Sequence, residues 1–441
     1  MAAAFARIGD NRQVKTALFL IACGWAGAAP HFLLTQATKL VPAIALAILL
    51  GGYGLQKVLV DRRKTFLNTL EVPIDLADAG DWPSVDVLVA ARDEEAVITR
   101  LVERLSALRY PEGKLSIWII DDGSQDRTPI LLKNLREQFP ILHVICRDKD
   151  AGGGKSGALN AALTSVNGDW LLILDADAQF QPELLLRVVP YAEKAGWSAV
   201  QLRKAVVNAQ QNLLTRVQAM EMAMDALIQK GRLAGGGVAE LRGNGQLLQR
   251  ETLQRCGGFN EETVTDDLDL SFRFLTLRAK IGILWNPPIQ EEAVETFYAL
   301  WRQRQRWAEG GLQRFFDYWP VLTSKQLSIS QRFDLSCFFL LQYALPVVSI
   351  SDLITTIFVR TTPSYWPLSI VAFLVSGLAY WRGCRTKSEG PTLPAPTFGS
   401  LLIAIIYLVH WFVVIPWVTI KMAIFPKRLV WVKTTHAGRQ S

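Results

Sequence analysis

Four clusters of polar residues stand in the chain with spacings that could do chemistry: Asp121-Asp122, Asp175-Ala176-Asp177, Thr265-Asp266-Asp267 and Gln303-x-x-Arg306-Trp307. Two carboxylates spaced i, i+2 after a strand can hold Mg²⁺ or Mn²⁺ against the oxygens of a diphosphate, which leaves poorly until its charge is neutralised. Asp175 and Asp177 have that spacing and follow the apolar run Trp170–Leu174 (WLLIL). The same pair also reads as a solvated turn capping a helix that begins near Pro182. Asp121-Asp122-Gly123-Ser124 turns out of the earlier run Ser116–Ile120 (SIWII). It is either a turn with an N-cap or a carboxylate contact to a nucleoside, with its partner near the metal. In Thr265-Asp266-Asp267-Leu268-Asp269 the acidic residues favour a helix N-terminus, and one of them could take a proton from an acceptor hydroxyl. Gln303–Trp307 opens a helical segment. Arg306 can pair with phosphate and Trp307 can wall an acceptor site, or the segment is an interfacial basic-aromatic helix.

Gly152-Gly153-Gly154-Lys155-Ser156 suggests a phosphate loop, but a Walker A motif needs Gly at position 149, where the chain has Lys149. A P-loop NTPase is therefore disfavoured. The glycines still allow close backbone approach, and Lys155 can neutralise a leaving diphosphate. The five cysteines are scattered, with no CxxC pair or Cys/His cluster, which supports neither a disulfide framework nor a zinc site. Four dispersed histidines argue against His-based catalysis.

The elements that must position these residues alternate strand and helix from about Asp81. Strand-like runs are expected at Val85–Ala91, Ser116–Ile120, Leu142–Cys146, Trp170–Leu174 and Ala199–Leu202. Helical spacing is expected over Glu94–Leu108, Thr128–Gln138, Ser156–Ser165 and Pro182–Glu193, then in a long stretch from Asn212 to Leu233. Repeated βαβ units imply a doubly wound, mostly parallel sheet with helices on both faces. In such a sheet ligands bind beyond the carboxyl ends of the strands, where the first two acidic clusters fall.

An apolar share of 50% exceeds the need of a soluble protein of 441 residues, and the excess lies at the two ends. Thr16–Leu34, Leu40–Val60, Leu335–Phe358, Trp366–Trp381 and Phe398–Phe425 are apolar runs of roughly bilayer-spanning length. The chain thus divides into a membrane segment 1–64 with two spans, a catalytic α/β domain 81–320, and a membrane segment 330–441 with about three spanning or interfacial helices. The net charge is +7, and basic residues crowd the membrane edges: Arg7, Arg12 and Lys15, then Lys57, Arg62, Arg63 and Lys64, then Arg382, Arg385 and Lys387. The positive-inside rule places the N-terminus and the central domain on the cytoplasmic face of a multi-pass protein. Lys427, Arg428 and Lys433 place the tail there too. Three C-terminal spans would put that tail outside, so either one run is re-entrant or interfacial, or the rule fails there. No basic stripe with interleaved aromatics appears in the soluble part, so nucleic acid is not an expected partner.

Together these residues resemble the family 2 glycosyltransferases, inverting enzymes of GT-A fold that include cellulose, hyaluronan and poly-N-acetylglucosamine synthases. The resemblance runs from about Val85 to Trp319, with one departure: the usual Thr-Glu-Asp reads Thr265-Asp266-Asp267. It implies that Asp121 and Asp122 contact the nucleoside, and that Asp175 and Asp177 hold Mg²⁺ (or Mn²⁺) on the diphosphate with Lys155 beside it. It further implies Asp267 as the general base, with Asp266, Gln303, Arg306 and Trp307 bordering donor and acceptor. Gly153–Asn160, Glu240–Gln246, Thr265–Leu270 and Arg306–Gly311 are similar to family members that glucosylate lipids. Those members take UDP-glucose as donor and 1,2-diacylglycerol as acceptor at the bilayer, giving a β-glucoside. A processive polysaccharide synthase using a UDP-sugar is the alternative, because such enzymes share the Gln-x-x-Arg-Trp motif.

Overall fold

Strand β1 (Val85–Ala91) is buried along its whole length, as a near-continuous apolar run must be when helices cover both faces of a sheet. The structure, a computed structural model, describes residues 12–59 and 82–425. Around β1 lie β2 (Leu115–Asp122), β3 (Leu142–Arg147), β4 (Trp170–Leu174), β5 (Ala199–Val206), β6 (Gln246–Gln249) and β7 (Ile281–Glu291). They form one seven-stranded sheet in the order β3-β2-β1-β4-β6-β5-β7. β1 is parallel to β2 and β4, and β2 to β3, whereas β6 runs antiparallel between β4 and β5.

Helices α3 (Ile98–Ser106), α4 (Thr128–Gln138) and α6 (Leu184–Ala195) bury their apolar stripes on one face of the sheet. On the opposite face lie α5 (Gly154–Ala162), α8 (Arg250–Arg255) and α9 (Asp266–Thr276). The expected mostly parallel, doubly wound sheet is present, with boundaries shifted by a few residues. Asp121 and Asp122 do not turn out after Ile120 as expected; β2 continues through them, paired with Cys146 and Arg147 of β3. Lys155 falls in the first turn of α5, ahead of the helix start expected from the sequence. Two strands escaped the sequence reading. β6 has four residues, too short to show a period, and β7 carries Pro287-Pro288, which argue against a strand on composition alone.

Among the described residues five helices are long and apolar enough to cross a membrane: α1 (Arg12–Leu33), α2 (Val41–Leu59), the stretch Ile329–Val359, α14 (Trp366–Arg385) and α15 (Phe398–Ile424). The stretch Ile329–Val359 comprises α12 (Ile329–Phe339), a π-helical turn at Leu340–Ala344 and α13 (Leu345–Val359). Between sheet and bundle lie α7 (Leu213–Ala234), which starts at an Asn212 capping box, and the amphipathic α10 (Phe297–Asp317), followed by the short α11 (Trp319–Thr323).

Contacts fix the direction of each run. At its start α1 meets α10, through Arg12 with Asp317 and through Lys15 Nζ, which donates to Phe316 O at 2.9 Å. Its far end meets Asp352 and Thr361 through His31, at 2.7 and 2.6 Å. α2 returns to the domain, where Lys57 packs on Gly231 and Gly235 of the α7 end. Asp334 of α12 is also at the domain end, and α14 returns there, with Trp285 Nε1 donating to Lys387 O at 3.1 Å.

The fifth run behaves differently. Near its start, Ala404 and Leu408 pack with Tyr380 of α14 and with Val217 and Met220 of α7. In its middle, Tyr407 Oη and Trp411 Nε1 donate to the two carboxylate oxygens of Glu221, at 2.9 and 3.2 Å. At its end, Gln13 Nε2 donates to the carbonyls of Ala423 and Ile424, at 3.1 and 2.9 Å. All these partners lie at the domain end of the bundle, so α15 runs beside α10 rather than away from the domain. Arg7, Arg62, Arg63, Lys64, Lys427, Arg428 and Lys433, which set the charge expectation, lie outside the described residues, as do the expected domain limits at 64 and 81.

Candidate active site

The parallel register of β1, β2 and β4 carries Asp121, Asp122 and Asp175 to one edge of the sheet, because a parallel sheet presents all its carboxyl ends together. Beyond that edge lies a cavity of about 510 Å³. Lys155, Asp175, Asp177, Asp266, Asp267, Gln303, Arg306 and Trp307 all line it, although they come from β-strand ends, α5, α9 and α10. Of the sequence-predicted site residues, Asp121 and Asp122 are not on this wall. They are buried at the end of β2, where Asp121 accepts from Ser124 N at 3.2 Å and Asp122 pairs with Arg147. Burial, opposed by Arg147 and Arg92, pushes the Asp122 carboxyl above the usual carboxylate range.

Three glycines in the left-handed region, Gly152, Gly153 and Gly154, turn the chain from β3 into α5 and set Lys155 at the helix start. Lys155 Nζ lies 2.5 Å from Asp175 Oδ1. Burial works against its charge, but Asp175, Asp266 and Asp267 outweigh it and hold the ammonium's pKa above its ordinary value. Asp175 is in turn fixed through its backbone N–H, which donates to Asn244 Oδ1 at 3.1 Å. Among the described residues no three His, Cys, Asp or Glu side chains gather into a metal cage. Asp175 and Asp177 on the cavity wall nevertheless fit Mg²⁺ or Mn²⁺, hard cations that take one or two carboxylates and complete their shell with phosphate oxygens and water.

Asp267 sits in the first turn of α9, behind the extended N-cap residue Thr265. Burial and then the neighbouring Asp266 push its carboxyl up to about 6, against the Leu268 N–H, Lys204 and Arg242, which favour the charged form. A carboxylate with that affinity for protons is a better base than an exposed one. Asp269, the third acid of the cluster, has a structural role: it accepts from Arg273 Nε at 2.7 Å, Tyr318 Oη at 2.8 Å and Asn260 Nδ2 at 2.9 Å.

Four residues on the cavity wall escaped the sequence reading as functional: Lys204, Arg242, Asn244 and Glu291. Arg242 and Asn244 lie in the string Glu240–Gln246, whose only signal in the sequence is its similarity to lipid-glucosylating family members. Nothing in the local sequence marks Lys204 or Glu291, which meet only when β5 and β7 pair. Away from the carboxylates the same cavity continues between Leu50, Leu345, Leu368, Phe373, Phe412 and Ile415, from four of the membrane-length runs.

Residues 83–310 match glycosyltransferase like family 2. The chain belongs to this family. It is 42% identical to the beta-monoglucosyldiacylglycerol synthase of Synechocystis sp. over 98% of this chain and 90% of that protein. It is also 42% identical to the synthase of the same name from Trichormus variabilis, over 81% of this chain and 78% of the relative. Among solved structures, the mannosyltransferase PcManGT from Pyrobaculum calidifontis, in complex with GDP-Man and Mn²⁺, has the same fold. The TM-score is 0.56, at 21% identity over 85% of this chain and 99% of that one. As a family 2 glycosyltransferase the chain thus has the GT-A arrangement expected from its motifs, with apolar helices attached at both ends.

Proposed function

We propose that this enzyme transfers glucose from UDP-glucose to 1,2-diacylglycerol with inversion, giving β-monoglucosyldiacylglycerol. The observation that carries the acceptor class is the shape of the cavity: carboxylates at one end, apolar helix faces of membrane length at the other. A lipid with one polar hydroxyl and two acyl chains matches that gradient. The relatives named for this product extend over the membrane helices as well as the sheet, which supports the same acceptor.

In this reading Asp175 and Asp177 bind a divalent cation, which when bound neutralises the diphosphate. Lys155 adds a second positive charge where UDP departs, and Asp121 and Asp122 serve the nucleoside. Asp267 removes the proton from the lipid's primary hydroxyl as that oxygen attacks the anomeric carbon and the bond to UDP breaks. A single displacement turns an α-linked donor into a β-glucoside, so no protein nucleophile is used. Gln303, Arg306 and Trp307, together with Asp266, border donor and acceptor. Four of the apolar runs cross the bilayer, and α15 lies along its cytoplasmic face beside α10. In this arrangement the end of α15 at Ile424 and the catalytic domain share one side, so the span count and the charge rule agree.

The test is a membrane preparation given labelled UDP-glucose, Mg²⁺ and diacylglycerol. Label in a chloroform-soluble β-glucosyl lipid is the expected result. Label in an insoluble polymer would replace the lipid reading with a polysaccharide synthase.

A further inference from the structure

Inverting transfer requires the anomeric carbon to lie between the leaving oxygen, held near Asp175, Asp177 and Lys155, and the attacking oxygen, held near Asp267. The hexose ring must therefore occupy the stretch of cavity between those two groups. Lys204 and Glu291 line the same cavity, and their side chains are paired there, with Nζ 3.2 Å from Oε1 and 3.1 Å from Oε2. The pairing of β5 with β7 is interrupted by a bulge between Leu202 and Lys204. Bulges re-aim side chains beside sites. Arg203 and Lys204 both line the cavity, but Arg203 is buried and tied down by donating to Trp285 O and Glu389 O, which leaves Lys204 with Glu291 as the pair that can meet a ligand.

Asn244 ties this pair to the carboxylates. Its Nδ2 donates to Glu291 Oε2 at 3.4 Å, and its Oδ1 accepts from the backbone N–H of Asp175 at 3.1 Å. Burial works against the Lys204 charge, but Glu291, Asp175 and Asp267 outweigh it and keep the ammonium's pKa above its ordinary value. The pair is thus a charged donor and a charged acceptor, side by side, at side-chain exposures of 14% and 15%. Such a pair meets neighbouring hydroxyls of a sugar, one oxygen accepting from Lys204 and the next hydroxyl donating to Glu291.

We propose that Lys204 and Glu291 read adjacent hydroxyls of the donor hexose and make the enzyme select glucose over its C4 epimer. The proposal rests on the donor role assigned above and adds the sugar-recognising groups. The two charges keep each other as partners when a hydroxyl is misplaced, so an epimer is disfavoured by the charge-assisted hydrogen bonds it fails to make at the donor step.

The experiment is equilibrium binding of UDP-glucose, UDP-galactose and UDP to the full chain in detergent with Mn²⁺, for the wild type, Glu291→Gln, Lys204→Met and the double variant. The wild type is expected to bind UDP-glucose at least about tenfold more tightly than UDP-galactose. Each variant is expected to lose most of that ratio, while affinity for UDP, which has no sugar, stays within about threefold. The double variant removes the pair without stranding a partly buried charge and covers the case in which Lys204→Met fails to fold. Equal wild-type affinity for the two sugars overturns the proposal, and so does a ratio unchanged in the folded variants. A parallel loss of UDP affinity also overturns it, because it assigns the pair a merely structural role. Binding needs no acceptor, so these outcomes are independent of whether the product is a lipid.

Discussion

Gly310 of α10 lies directly against Thr265, the residue that caps the helix bearing Asp267: a methyl group added at Gly310 would stand 2.0 Å from Thr265 Oγ1 and 2.4 Å from its Cγ2. α10 and the helix that bears the proposed base are thus held against each other at a position without a side chain. Gly311 does the same for Tyr343, whose hydroxyl would be 1.9 Å from an added methyl.

Gly310→Ala pits two effects against each other. Alanine favours a helix interior by about 1 kcal/mol, whereas overpacking of a tight contact costs about 1–3 kcal/mol. The Thr265 side chain is buried and β-branched, and its Cβ would itself stand 2.7 Å from the added methyl, so sterics win. Turnover is expected to fall by roughly tenfold or more, since small misplacements of catalytic groups are expensive. A steady-state assay beside a thermal melt checks this. A raised melting temperature with unchanged turnover would show that the contact does not position the base.

Asp267→Asn keeps the shape of the base and removes its function. Turnover is expected to drop by roughly 10²–10⁴-fold, the usual worth of a positioned base. UDP-glucose affinity should change little, because the metal and diphosphate contacts lie elsewhere. Comparable losses in both quantities would move Asp267 into donor binding.

The acid limb of the pH profile follows from the same residue. Asp267 acts only when ionised, and its carboxyl is pushed up to about 6 by burial and by Asp266. Activity is therefore full above that value and lost as pH falls through it. The two adjacent acids share the titration, so the apparent pKa belongs to the pair. Asp266→Asn should shift the limb to lower pH, because it removes the like charge. A profile flat from pH 7 to 5 would contradict the assignment.

Metal removal gives the clearest chemical test of Asp175 and Asp177. Excess chelator is expected to abolish transfer and added Mg²⁺ or Mn²⁺ to restore it. Replacing both carboxylates by alanine should make the loss irreversible by metal. Full transfer rates under chelation would refute the donor-site reading as a whole.

Glu240 supports the site from beneath. It is inaccessible and faces Arg232 and Arg242 at 3.2 Å and Arg314 at 3.0 Å. Burial raises its proton affinity, but the three guanidinium groups prevail and hold the carboxyl down to about 2. Arg232 extends the network to Asp334 of α12, which also accepts from Tyr53 Oη of α2. Glu240→Gln removes the carboxylate that faces Arg314 and leaves Arg232 and Arg242 with Asp334 and Asp225 alone, a loss of about 3–5 kcal/mol. A melt of the full chain in detergent should show it, and a shift near zero would mean that water already screens the network.

Much of this was legible in the residues alone. WLLIL before Asp175 and VDVLVAA at β1 have the length and apolar continuity of strands buried on both faces, and both are fully buried strands. The spacing of Asp175 and Asp177 and the acids at the start of α9 stand out in the sequence, and the fold gathers them on one cavity wall. The apolar ends are long enough to span a bilayer on length alone, and the basic residues after α15 conflict with an odd number of crossings.

What only the tertiary structure decided is how remote segments meet. Lys204 and Glu291 are 87 positions apart and have no local signature; strand pairing and one bulge bring them together. β6 reverses direction inside a sheet that otherwise reads as parallel there, since four residues hold too little periodicity to reveal their partner. Hydropathy cannot distinguish a helix that crosses a bilayer from one that lies on it. The proposed interfacial place of α15 rests on Glu221 and Gln13, polar groups from distant parts of the chain that find their partners along its length. Local pattern determines which elements form and which residues can react; long-range contact energies determine which of those residues share a cavity.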